Sequence, residues 1–143
     1  EIILSFKEIS KKNFILNCDQ YSNVKKITKS IEIIYGLRNF IGNANKYSKT
    51  KIFVTLKSDR DITEIIIEDD GEGYPNEILS KIGEPYLKSY RNNNKEKSGL
   101  GLGIFIGKNL LEKNFANINC QNSKKISGAK VVITWQNKDL FKI

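Results

Sequence analysis

From Ser30 onward, apolar residues recur at Ile33, Ile34, Leu37, Phe40, Ile41 and Ala44, a spacing that winds one buried stripe around about a third of a helix. Ser30 suits the N-cap. At about 100° per residue, Asn39, Asn43 and Lys46 fall along a polar side of the same helix, with Tyr47 one turn beyond Asn43. Elsewhere the period changes to two. Residues 51–57 alternate through Ile52, Val54 and Leu56, and residues 62–68 carry Ile65, Ile66 and Ile67, with the polar run 58–61 between them, which predicts a hairpin. Residues 117–121 and 129–135 alternate in the same way and are expected to close the chain as two strands. Residues 13–18 and 25–28 are short β-prone pieces joined by a polar turn and are expected to form an edge hairpin. Pro75 suits the first position of a short helix over 76–82, and residues 104–113 predict a longer one with Ile106, Leu110 and Leu111 inward. Between them, residues 84–98 hold Pro85, three successive asparagines and several basic side chains without periodicity, and are expected to form a long loop. The order of elements predicts an α+β fold: a two-layer sandwich with a mixed sheet covered on one face by helices.

At 143 residues the chain is long enough for one domain with a sizeable core, and no apolar run approaches the ~20 residues that span a bilayer. It contains no methionine and opens on Glu1, so it reads as a piece of a longer protein. The net charge of +8 raises the question of nucleic acid, but the basic residues are scattered without interleaved aromatics, and no direct nucleic-acid partner is expected. Cys18 and Cys120 lie far apart in no metal or redox spacing and are read as small buried residues without chemistry.

The candidate chemistry lies in three unlike motifs. Asp69 stands at a strand end just before Gly71 and Gly73, where a carboxylate can accept from an exocyclic amine while glycines let backbone approach a flat ring. An isolated Asp-x-Gly-x-Gly is also a plain tight turn. Gly99-Leu100-Gly101-Leu102-Gly103 directly precedes a helix, so its free N–H groups can face phosphate oxygens where the helix dipole favours negative charge. It lacks the Lys-Ser/Thr end of a Walker loop and does not follow a strand as a dinucleotide fingerprint does. Asn43 offers a neutral oxygen to magnesium, which takes one or two protein ligands besides waters and phosphates. Together the three describe the walls of one ATP pocket.

These residues, in this order, resemble the catalytic and ATP-binding domain of sensor histidine kinases, members of the GHKL superfamily that includes DNA gyrase, mismatch-repair and heat-shock ATPases. The resemblance covers residues 30–135. Residues 39–47 look like its N box, 69–73 its first glycine box, 99–103 its second, and Ser127-Gly128-Ala129 a shortened final one. The Ile82-Gly83-Glu84-Pro85-Tyr86 run, residues 99–108 and residues 128–131 are similar to the RegB/PrrB-type redox-responsive kinases. The resemblance implies the Bergerat type of sandwich, with Asn43 ligating magnesium, Lys46 contacting phosphate, Tyr47 flanking the adenine and Asp69 reading its amine. Residues 84–98 would be the ATP lid, with Lys88 and Arg91 as phosphate contacts.

One position bears on which reaction follows. ATP-hydrolysing relatives carry a glutamate one turn before the metal-binding asparagine, where it serves as general base, and this chain has Asn39. An amide takes no proton near neutral pH, so the site looks built to hold ATP and leave an incoming imidazole as nucleophile. The chain has no histidine of its own. The acceptor is therefore expected on an upstream dimerisation domain, with residues 1–12 as the linker and 13–143 as the catalytic domain, and a response regulator is expected downstream. The isolated piece is expected to be a monomer, the homodimer belonging to a full-length parent anchored in the bacterial inner membrane with this domain in the cytoplasm. Two alternatives stand beside this reading: an ATPase module that couples hydrolysis to conformational change, and a pseudokinase that keeps the pocket as a scaffold.

Overall fold

The computed structural model describes residues 1–18, 28–82 and 100–143. Among the described residues five strands form one sheet: β1 (Asn13–Cys18), β2 (Lys51–Ser58), β3 (Ile62–Asp69), β4 (Asn117–Asn122) and β5 (Ala129–Gln136), in the order β1-β2-β3-β5-β4. The sheet is mixed, as expected. β1 runs parallel to β2 with Phe14 opposite Ile52, and every other pairing is antiparallel. The edge hairpin predicted over 13–28 is corrected to that extent: β1 takes its partner from a distant strand, Thr28 is not in a strand, and residues 25–27 lie outside the described residues.

Helix α2 (Ile31–Tyr47) lies over β3, and α4 (Leu100–Lys113) lies beside it toward β4. The Ser30 side chain accepts from the Ile33 N–H at 3.3 Å, which caps α2 and meets one of its four unpaired first-turn donors. Alternation on the strands and the helical stripe bury one core between the layers. Its fully enclosed side chains are Phe40, Ile52, Ile67, Ile104, Leu111 and Ile133, each contributing roughly 1.5–3 kcal/mol by leaving water. The two helices cross closely because glycines meet there. A Cβ on Gly36 would press on Leu111 at 2.6 Å, and one on Gly107 would stand 3.0 Å from the Phe40 ring.

Three helical expectations change. The helix predicted over 104–113 begins four residues earlier, so Leu100 to Gly103 are its first turn and not a loop before it. Packing against α2 overrides the poor helix propensity of glycine there. Ile106 is 40 % exposed, because the face turned to α2 is that of Gly103, Gly107 and Leu111. α3 (Asn76–Leu79) is shorter than predicted, and a short α5 (Asn137–Leu140) follows the last strand. In the segment read as a linker, α1 (Ile2–Ile9) packs Ile2, Ile3 and Phe6 against the core, with the Phe6 and Phe14 rings 6.0 Å apart. Cys18 is exposed and not buried, since it ends β1 at the sheet edge. Cys120 sits on β4, the opposite edge strand, too far from Cys18 for a disulfide. Burial pushes its thiol up to about 11.

Candidate nucleotide site

β3 ends by delivering a carboxylate into the protein. Asp69 is 4 % exposed, and its Oδ1 accepts from the Gly71 N–H at 2.9 Å and the Ala129 N–H at 3.3 Å. Burial raises its pKa above the ordinary carboxylate value, and the hydrogen bonds from Gly71 and Ala129 only partly oppose that. The neighbouring Asp70 behaves in the opposite way. It too is penalised by desolvation, but the Thr50 hydroxyl and the N–H groups of Thr50, Lys51 and Lys49 hold it well below the usual range. The backbone can close around Asp69 only because glycines surround it. A Cβ at Gly71 would overlap the Tyr47 carbonyl oxygen, and one at Gly128 would overlap the Asp69 carbonyl. Gly73 adopts φ +77°, a conformation that suits glycine, and carries the chain out of the strand.

α2 supplies the facing wall. Asn43, Ala44 and Tyr47 look across at Asp69, Gly73 and Tyr74, with Ile67, Val131 and Phe40 beneath, around about 500 Å³ of space including the solvent at its mouth. The Asn43 amide nitrogen is buried and has no hydrogen-bond partner among the described residues. A buried amide left unpaired costs free energy, and such groups mark places where something else is meant to bind. The Asn39 amide instead donates to the Tyr35 carbonyl at 2.8 Å, one turn back along its own helix. Both amides face the first turn of α4. A Cβ on Gly103 would stand 3.5 Å from the Asn43 amide and 3.6 Å from Asn39 Oδ1. The positive dipole end of a 14-residue helix thus stands beside the two asparagines.

Of the residues singled out in the sequence, Asn43, Tyr47, Asp69 and Gly73 line one pocket, and Gly71 lies behind it. Asn39 is one turn farther along α2, and Lys46 is exposed with its ammonium 5.5 Å from the Tyr47 ring. Leu102 is 46 % exposed on the first turn of α4, which also contains the backbone of Leu100, Gly101 and Gly103. Gly99, Lys88, Arg91 and the rest of the 84–98 segment lie outside the described residues. The sequence reading missed Asn122. Its amide donates to the Tyr74 carbonyl at 2.8 Å and accepts from the Tyr74 N–H at 2.7 Å, which pins the loop after Asp69 to the end of β4. No local pattern announces that contact, because its partners lie 48 residues apart.

Residues 28–139 match the family model described as histidine kinase-, DNA gyrase B-, and HSP90-like ATPase. The chain belongs to this family. Among curated relatives, the sensor histidine kinase RegB of Cereibacter sphaeroides is 36 % identical over 102 residues, 68 % of this chain and 22 % of that protein. The sensor histidine kinase CpxA of Escherichia coli is 31 % identical over 97 residues, again 68 % of this chain and 21 % of the relative. The chain therefore spans about a fifth of the length of these relatives. Among solved structures, the mycobacterial sensor histidine kinase MprB superimposes with a TM-score of 0.72 at 20 % identity, covering 94 % of this chain and 88 % of that one. The ATP binding domain of PrrB from Mycobacterium tuberculosis gives 0.68 at 19 % identity, over 94 % and 87 %. The fold is that of the GHKL kinase catalytic domains, and the chain is a histidine-kinase type of ATP-binding domain.

The chemistry of the site fits a divalent cation carried in with ATP. Among the described residues no group of three His, Cys, Asp or Glu side chains could hold a metal ion unaided. With its oxygen turned inward, an orientation that an amide flip supplies, the Asn43 amide would offer such a cation a neutral hard-oxygen ligand.

Proposed function

We propose that this domain binds ATP with magnesium and transfers the γ-phosphoryl group to a histidine on an upstream domain of the same protein, from which a response regulator receives it. The observation that carries the reading is the convergence, on one pocket, of the buried Asp69 carboxylate and the buried, unpartnered Asn43 amide. Asp69 accepts the exocyclic amine of the adenine through the carboxylate oxygen not engaged by Gly71 and Ala129. Tyr47 lies along one side of the base. Asn43 would be the protein ligand to magnesium, which when bound would supply neutralisation of the phosphate charge. Lys46 swings from the Tyr47 ring to phosphate, and the first turn of α4 offers its N–H groups to the phosphate chain. Lys88 and Arg91 are proposed to add phosphate contacts.

Transfer breaks the bond from the γ-phosphorus to its bridging oxygen, which leaves with ADP, and forms a bond from that phosphorus to an imidazole nitrogen. The imidazole proton passes to solvent. Asn39 cannot accept a proton, so water in the same position is not activated, and positioning carries the reaction. The catalytic pair is thus Asn43, through the metal, and Asn39, through the orientation of the acceptor.

No described helix is long and apolar enough to cross a membrane. We assign the domain to the cytoplasmic side of a parent anchored in the bacterial inner membrane, with dimerisation supplied by the upstream region. The test is phosphoryl transfer from γ-labelled ATP. The chain alone should take up no label, an added histidine-bearing acceptor domain should become labelled, and Asn43→Asp should abolish that labelling. Self-labelling of the chain, or brisk ATP hydrolysis with no acceptor present, would contradict the proposal.

A further inference from the structure

The segment ahead of β1 reaches the backbone that follows the pocket-lining Tyr47, although it lies outside the residues 28–139 that match the family. Lys12 Nζ donates to the Ser48 carbonyl and, at 3.1 Å, to the Lys49 carbonyl, just past the C-terminus of α2. A helix C-terminus leaves carbonyls unpaired and favours a cation. The same connection is fastened a second time, where the Ser10 hydroxyl donates to Asn45 Oδ1 and accepts from the Lys12 N–H at 2.9 Å. From the other side, Asp70 accepts from the Lys49 N–H at 2.8 Å, the Thr50 N–H at 3.0 Å and the Thr50 hydroxyl at 2.7 Å. Residues 48–50 are thereby gripped between an ammonium on their carbonyls and a carboxylate on their N–H groups. They follow directly on Tyr47, a pocket wall whose carbonyl touches Gly71 so closely that no side chain fits there. Lys12 is also near enough to Asp69 for its charge to favour the ionised carboxylate.

We propose that Lys12 is a positioning residue of the nucleotide site: by fixing the end of α2 it sets the gap between Tyr47 and the Asp69–Gly71 turn, so the placement of the segment before β1 is felt in the pocket. The inference rests on the ATP reading of that pocket. Because Lys12 acts through the Tyr47 side of the pocket, where the base would lie, and Asn43 would hold the metal, its loss should weaken ADP and ATP alike and leave the magnesium-dependent gain unchanged.

The experiment is calorimetric titration of the 143-residue chain with ADP and a non-hydrolysable ATP analogue, with and without magnesium. Lys12→Met should lose about tenfold in affinity for both nucleotides, the scale of one charge-assisted hydrogen-bonding group. Lys12→Arg should recover most of that loss. Asn137→Ala, which breaks a hydrogen-bond network at the far end of the sheet, lowers stability without touching the pocket and should keep wild-type affinity. Lys12→Met binding within twofold of wild type, or losing affinity only in step with a stability loss that Asn137→Ala matches, would overturn the assignment while leaving the ATP reading intact. A wild-type chain that binds neither nucleotide would overturn the ATP reading itself, and this inference with it.

Discussion

Asp69 carries the sharpest conflict between stability and function. Its pKa is raised by burial, so its favourable contribution to folding is present below the ordinary carboxylate range and is lost as pH rises through the elevated folded value. At pH 7 the buried carboxylate is therefore a cost that binding must justify. Asp69→Asn should raise Tm at pH 7 while weakening nucleotide binding, and the Tm gap should shrink as pH falls from the elevated folded value toward the ordinary carboxylate range. A lower Tm for Asp69→Asn at pH 7 would contradict the burial argument. Asp70 has the reverse sign: its pKa is lowered, so its contribution is present at neutral pH and is lost as pH falls toward the depressed value. Asp70→Asn should lower Tm at pH 7. At Asn39 the expected change is in reaction and not stability. Asn39→Glu introduces a base where the amide now sits, and acceptor-free ATP hydrolysis should rise above wild type in a phosphate-release assay. An unchanged rate would remove the reason given for the amide. Asp69 and Asn43, which the structure brings to one pocket, could be singled out because each belongs to a short motif with its own chemistry. Asn122 and Lys12 could not, because each acts on backbone groups 48 and 36 residues away, and a turn asparagine or surface lysine has no local signature.

Among elements, the approach of α4 to α2 decides where the site's positive helix end falls. Gly107 has the Phe40 ring, Asn39 Cβ and the Gly36 carbonyl all at 3.0–3.1 Å from the position a Cβ would occupy. Gly107→Ala should cost about 1–3 kcal/mol by urea denaturation, the usual range for overpacking. It should also weaken ATP-analogue binding by moving the first turn of α4 away from Asn43. Unchanged stability and affinity would mean that the crossing is looser than the contacts indicate. The helices and strands with strong periodicity were readable, α2 down to its Ser30 cap and β2 and β3 to within a residue. Two features escaped for physical reasons. Glycine-rich residues 100–103 have the local preference of a loop, and only packing on α2 makes them helical. The parallel union of β1 with β2 joins strands separated by all of α2, which no turn signal can encode.

At the scale of the molecule, the two layers leave a pocket between α2 and one end of the sheet, and the acidic end of β3 is presented there. The fold class could be argued from the order of elements, but the strand order β1-β2-β3-β5-β4 depends on long-range pairing and becomes visible only in the assembled sheet. The chain contains no histidine, so the phosphoryl transfer proposed above requires an acceptor on another domain. The central claim is that Asp69 and Asn43 grip opposite ends of one nucleotide. It is tested most directly by titrating an ATP analogue into wild type, Asp69→Asn and Asn43→Asp, with and without magnesium, and reading affinity by calorimetry. The account predicts that Asp69→Asn binds more weakly under both conditions, whereas Asn43→Asp changes only the magnesium-dependent part. Absence of binding by wild type, or equal losses for both variants whether or not magnesium is present, would contradict it.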